Sequence, residues 1–173
     1  MIAYTVFVLL TGLERVSELV TSTRNARWAF AHGGVESGRG HLPAMIALHT
    51  GFLVGILAEV WLLQRPFLPW LGWPMLAIAL LCQLGRIWII RTLGPQWNTR
   101  IIVVPGMPLQ HGGLYRWFRH PNYVIVAIEG IALPLVYTAW ISALCFTVLN
   151  AVLLLGFRIP AEDRALAKAG VSA

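Results

Sequence analysis

The densest group of reactive side chains in this chain is the run GLYRWFRHPNY, Gly113 to Tyr123. Pro121 suits the first turn of a helix, because its missing N–H would have no intrahelical partner there. His120 then falls at or near the N-cap, beside free backbone N–H groups and the positive end of the helix dipole. Such a place accepts an anion, a carboxylate for example. Tyr115, Trp117, Phe118 and Tyr123 offer apolar walls for a flat ring and ring faces for a cation. A plainer reading makes Arg116, Trp117 and Phe118 an interfacial belt, and the chemistry then centres on His120 and Tyr123.

A second group lies further on, in GFRIPAEDRAL, where Arg158 and Glu162 are four apart and share a face if helical. Alone they are a helix-surface ion pair worth about 0.3–0.5 kcal/mol. Brought beside His120 and Tyr123, they become part of a pocket with an anion-binding helix start, an arginine, a carboxylate and aromatic walls. Such groups suit a zwitterionic, sulfonium-bearing cofactor: glutamate for its ammonium, amide groups for its carboxylate, aromatic faces for adenine. The two groups meet only if the chain between them doubles back.

Composition says in what medium that happens. Of the 173 residues, 58% are hydrophobic and 12% charged, about half the charged share of a soluble domain, which is roughly 25%. A water-soluble enzyme, a disordered chain and a disulfide scaffold are excluded, and an integral membrane protein is expected. The net charge of +6 is then read as cytoplasmic loop anchors and not as a nucleic-acid surface. Cys82 and Cys145 lie in apolar runs with no partner spacing, and both are expected to be small core residues without disulfide or metal. The start, MIAYTVFVLLTGLERV, carries no basic n-region or small-residue cleavage site and reads as a retained helix.

Apolar stretches fall at about 2–20, 43–64, 70–92, 122–136 and 138–157, against the roughly 20 residues a bilayer core requires. The last two form a unit about 54 Å long if straight, too long for a single crossing. Pro134 and the residues up to Thr138 provide the break. The expected fold is therefore an all-α integral membrane protein, a single transmembrane domain over residues 1–173 with five transmembrane helices, the last two a helical hairpin. Ten Lys and Arg residues flank one face (Arg24, Arg27 and Arg39; Arg91, Arg100, Arg116 and Arg119; Arg158, Arg164 and Lys168), and only Arg65 flanks the other. The positive-inside rule puts the N-terminus out and the ten-charge face in the cytoplasm, in a bacterial plasma membrane. Residues 93–121 form a cytosolic loop too long to be idle. Its start, Trp97 to Val104, reads as a short strand or hairpin ending at Pro105-Gly106.

Ionisable residues within apolar segments are costly there and mark function or interhelical pairing. Glu129, about two turns beyond His120, is a candidate substrate contact. Glu14, Arg15 and Glu18 in the first stretch and His49 and Glu59 in the second read as interhelical polar pairs, with Arg86 snorkelling or pairing with one of them.

The segment Met107-Pro108-Leu109-Gln110-His111-Gly112-Gly113-Leu114-Tyr115, followed by RWFRHPNY and then Arg158-Ile-Pro-Ala-Glu162, resembles the isoprenylcysteine carboxyl methyltransferase family over about the last 70 residues. In that family the loop and hairpin bind S-adenosylmethionine on the cytosolic side without a Rossmann domain, and this chain likewise has no GxGxxG after a strand. The resemblance implies cofactor contacts at Met107, Pro108, Leu109, Gln110, Tyr115, His120, Pro121, Asn122, Tyr123 and Glu162, and an acceptor-carboxylate contact at Arg158. The family's aromatic-rich Gly-Glu-Glu-Tyr type tail has no counterpart before Ala173. Arg24-Asn25, Trp28, Gly33-Gly34, Glu36, Gly38, His41 and His49 resemble a short bacterial branch whose members O-methylate long-chain alkylpyrones and alkylresorcinols.

The expected activity is S-adenosylmethionine-dependent O-methylation of a lipophilic acceptor that enters from the bilayer, with membrane lipids as surroundings and no nucleic acid. Arg158 would position an anionic oxygen, and His120 would serve as base where the acceptor is a hydroxyl. The competing expectations are a nicotinamide-dependent lipid reductase of similar polytopic fold and a nonenzymatic membrane subunit.

Overall fold

A computed structural model describes residues 1–108, 110 and 112–169. The chain folds as helix α1 (Ile2–Ala31), strand β1 (Val35–Ser37), helices α2 (His41–Leu62) and α3 (Pro69–Leu93), strand β2 (Ile101–Val103), helices α4 (Pro121–Leu135) and α5 (Trp140–Leu153), a π-helical turn (Leu154–Arg158) and helix α6 (Ile159–Lys168). Among the described residues, three helical segments are long and apolar enough to cross a membrane: His41–Leu62, Pro69–Gln96 and Trp140–Lys168; Pro121–Leu135 is apolar but shorter. Large apolar side chains point outward along these rods, among them Val54, Leu81, Leu84, Leu144, Val148 and Leu155. So large an apolar exterior is what a lipid-facing protein presents.

Local chemistry accounts for most boundaries. α1 continues past the apolar stretch expected at 2–20 because neither glycine nor proline follows residue 20 until Gly33, which takes φ +79°. Pro69 and Pro121 open α3 and α4, where the missing N–H costs nothing. α4 runs through Pro134 to Leu135, and the bend follows at once: Ala139 N–H donates to the Pro134 carbonyl at 3.0 Å, and Thr138 turns the chain with φ +51°. The hairpin closes tightly, for a Cβ added at Gly130 would lie 2.4 Å from the Phe146 ring. After α5 the helix does not end in a loose tail. It widens by one π turn and continues as α6, because Pro160 has no N–H to give the carbonyl four residues back.

The fold is helical, as expected, and three details differ from expectation. A short two-stranded ribbon joins the helices: β2 pairs antiparallel with β1, Glu36 opposite Ile102. The strand expected in the loop after α3 thus finds its partner in the loop after α1 and forms no hairpin of its own. Cys82 is buried but Cys145 is exposed, since a helix in lipid is apolar on its outer face as well. The apolar stretch at 138–157 is the first part of a longer rod that reaches Lys168.

The main core joins α1, α2, α4 and α5 through Tyr4, Val8, Phe52, Ile56, Leu133 and Phe146, and the Tyr4 hydroxyl donates to the Leu133 carbonyl at 2.7 Å. A small cluster of Ile101, Ala161 and Ala165 seats β2 on α6. At one end of the bundle the Met1 ammonium donates to the Tyr137 hydroxyl at 2.7 Å, and the Thr138 hydroxyl to the Pro66 carbonyl at 3.0 Å. Glu59 accepts from Arg65 Nε and from the N–H groups of Ile141 and Ser142, and so caps α5 from a neighbouring helix. The candidate site residues gather at the opposite end.

Candidate active site

His120 occupies the N-cap position of α4, as its place before Pro121 predicts. The hairpin returns the chain so that α6 begins beside it. His120 Nδ1 lies 3.5 Å from Glu162 Oε1, and Nε2 lies 3.3 Å from Asp163 Oδ1. The Tyr123 hydroxyl donates to Glu162 Oε2 at 2.5 Å, and its ring stacks on that of His120 with centroids 5.5 Å apart. The side chains read as two separate groups in the sequence therefore form one.

Arg158 closes the π turn and is 4% exposed. Its Nη2 donates to the Thr99 carbonyl at 3.0 Å, its guanidinium carbon lies 5.9 Å from the Tyr123 ring centre, and its Nε is buried without a partner. The plain i,i+4 ion pair is not what the two side chains make, for Glu162 engages Tyr123 and His120 while Arg158 turns to the loop before β2.

These groups line a cavity of about 370 Å³, within the roughly 300–1,000 Å³ typical of small-ligand sites. Met107, Pro108, Gln110 and Tyr115 line it from the loop. Pro121, Asn122 and Tyr123 line it from α4, and Arg158 and Glu162 from the end of the rod. Leu109, also expected at the site, lies outside the described residues. The cavity continues inward between helices to Met45 and His49 of α2, Arg86 of α3 and Asn150 of α5. From Arg158 to Asn150 that is about 12 Å along the helix axis.

Glu129 does not border this cavity. It accepts from Arg15 Nη2 at 2.8 Å and from Gln83 Nε2 at 2.9 Å, the alternative to a substrate contact that an intramembrane carboxylate has. Arg15 also holds Glu18, whose oxygens take Nε and Nη2 of Arg86. Arg15 and Glu18 of α1 are thus interhelical partners, as expected, and Arg86 is paired, while among the described residues no such bond forms at Glu14. His49 is not: its Nδ1 meets the Met45 carbonyl of its own helix at 2.9 Å.

Two electrostatic features follow. The hydrogen bond to Glu162 raises the His120 pKa above the usual imidazole value, against the opposing effect of burial, and Asp163 adds to the rise. With a carboxylate facing each ring nitrogen, the imidazolium form is favoured, and that form has no lone pair with which to take a proton. The geometry thus sets His120 between two acids, and its raised pKa disfavours the neutral ring that a base requires. Burial raises the Tyr115 phenol as well, which keeps it neutral.

Sequence reasoning passed over Asp163, Asn98, Thr99 and Asn150, all of which line the cavity. Asp163 could have been found as the neighbour of Glu162. Asn98 and Thr99 carry no periodic signal, and α1 holds them in place: Ser22 Oγ bonds Asn98 Oδ1 and Thr99 Oγ1, each at 2.7 Å, and Asn25 Nδ2 donates to the Trp97 carbonyl at 2.7 Å.

Residues 75–168, which span α4, the π turn, α6 and the loop that completes the cavity, match the isoprenylcysteine carboxyl methyltransferase (ICMT) family. The chain belongs to that family, a family of membrane methyltransferases. It is also 39% identical over 155 residues, 89% of this chain and 90% of the other, to "Uncharacterized protein YpbQ" of Bacillus subtilis (strain 168).

Proposed function

We propose that this protein is an integral membrane S-adenosylmethionine-dependent O-methyltransferase. Its acceptor is lipophilic and carries a carboxylate or an acidic hydroxyl, as an isoprenylcysteine or a long-chain alkylpyrone or alkylresorcinol does. The chain crosses the bilayer five times, with the N-terminus outside and the cavity facing the cytoplasm. The observation that carries the reading is the meeting of Glu162 with Tyr123 and His120 across the returned hairpin, in a cavity where Arg158 Nε is buried and unpartnered.

The residues present fit the cofactor. An unsatisfied buried guanidinium N–H calls for an acceptor atom from a ligand, and acidic, aromatic and amide groups stand in the same cavity. S-adenosylmethionine, when bound, supplies an electrophilic methyl group on a sulfonium sulfur. Glu162 would receive its ammonium, amide groups at the start of α4 its carboxylate, and Tyr115 and Tyr123 would give ring faces to its adenine and positive sulfur. Arg158 holds the acceptor's anionic oxygen in line and leaves it ionised. The walls from α2 to α5 keep water out, so that alignment in a dry site does most of the catalysis. An acceptor that ionises unaided suits a site whose histidine two acids hold toward its charged form.

Calorimetry on the purified protein in detergent tests the proposal. S-adenosylmethionine should give a saturable heat, and Glu162→Ala should abolish it. Heat with a nicotinamide dinucleotide instead would reassign the chain to lipid reduction, and silence with both would make it a nonenzymatic subunit.

A further inference from the structure

Asn98 precedes Thr99, whose carbonyl anchors Arg158, and both line the cavity. The orientation of its amide is set by chemistry. The Arg100 N–H, which can only donate, points at Asn98 Oδ1 from 3.1 Å, and Ser22 Oγ approaches the same atom at 2.7 Å. The other terminal atom is therefore the NH2 group, and it is buried with no partner. So is Arg158 Nε. Two buried donors thus stand unsatisfied in one cavity, one on a strap pinned to α1 and the other on a side chain 96% hidden, the complement of its 4% exposure. Buried donors left unpaired are expensive, and two in one cavity call for a ligand rich in acceptors.

We propose that Asn98 Nδ2 and Arg158 Nε form a two-donor subsite for an anionic oxygen group of the bound molecule. This rests on the methyltransferase reading. The oxygen group belongs either to the methyl acceptor or to the carboxylate of S-adenosylmethionine; the chemistry recognised is the same.

Asn98→Asp is the informative variant. It keeps the oxygen that Ser22 and Arg100 hold and replaces only the donor, so the strap stays pinned while the subsite turns repulsive. Its melting temperature in detergent should stay at or above that of the wild type, because the new carboxylate would gain the Arg158 cation. S-adenosylmethionine affinity, and binding and methylation of N-acetyl-S-farnesylcysteine and 5-pentadecylresorcinol, are then measured. A loss of about tenfold or more in cofactor affinity supports the subsite and assigns it to the cofactor carboxylate. Unchanged cofactor affinity with an acceptor KM raised about tenfold or more supports it and assigns it to the acceptor. Should Asn98→Asp fold poorly, Arg158→Lys, which keeps the charge but lacks Nε, carries the same expectations. Unchanged cofactor affinity with binding and methylation of both acceptors unchanged from the wild type overturns the subsite alone. Absence of any cofactor heat in the wild type overturns the methyltransferase reading with it.

Discussion

His120 lies between Glu162 and Asp163 on α6 and stacks on Tyr123, and this setting gives it a defined pH signature. Its pKa in the folded protein is raised above the ordinary value of about 6.5. The pairing therefore stabilises the fold fully below that value, and the contribution is lost as pH rises through the raised one. His120→Gln should accordingly lower the melting temperature in detergent at about pH 6, with the difference shrinking toward about pH 9. A difference that grows with pH would show that the ring is held neutral. At this scale the sequence was informative about which residue types matter. His120 before a helix-opening proline, and Arg158 four before Glu162, were legible because both are local relations. Their partners were not, since Asp163 and Thr99 become partners only through the return of the chain.

Arg15 and Glu18 lie on the packed face of α1, and they bind it to α3 and α4. Arg15 bridges Glu18 and Glu129, while Arg86 closes on Glu18 from α3. Removing one member of a buried pair strands its partner, at a cost of about 3–5 kcal/mol, whereas replacing both by apolar or neutral groups is far milder. Arg15→Met alone should destabilise the protein by about that amount, and Arg15→Met with Glu129→Gln should recover most of it. Unfolding of the four proteins of this cycle in detergent measures the coupling, and additive losses would mean the bridge is idle. Helix positions were largely readable, because apolar length and Gly or Pro punctuation are properties of the chain itself. Strand pairing was not. β2 carried a visible β-branched run, Ile101–Val103, but β1 is the unremarkable Val35–Ser37, and pairing depends on where two loops end up.

The whole molecule has two dissimilar ends. One gathers Met1, Arg65, the hairpin turn at Tyr137 and Thr138, and the capped start of α5; the other holds the cavity, the strands and most of the arginines. The proposed orientation places the first end outside the cell and the second in the cytoplasm. Single cysteines in a Cys82→Ala, Cys145→Ala background test this with a membrane-impermeant thiol reagent. Gln64→Cys, in the exposed turn after α2, should label in intact cells. Arg116→Cys, in the exposed loop before α4, should label only after the membrane is opened. The reverse pattern would invert the protein, and equal labelling would contradict a bilayer crossing between the two.

What the amino-acid order settled unaided was the medium and most of the helices, and it picked out the residue types of the candidate site, because hydropathy, proline and glycine act within a few residues of where they stand. The tertiary structure decided which of those residues meet. It took Glu129 into an ion pair with α1, set His120 between two acids, and brought Asn98 and Thr99 to Arg158 on a strap that α1 holds. Each of these depends on how helices far apart in the chain come to lie side by side, and that follows from packing and from the matching of buried charges and donors across the bundle.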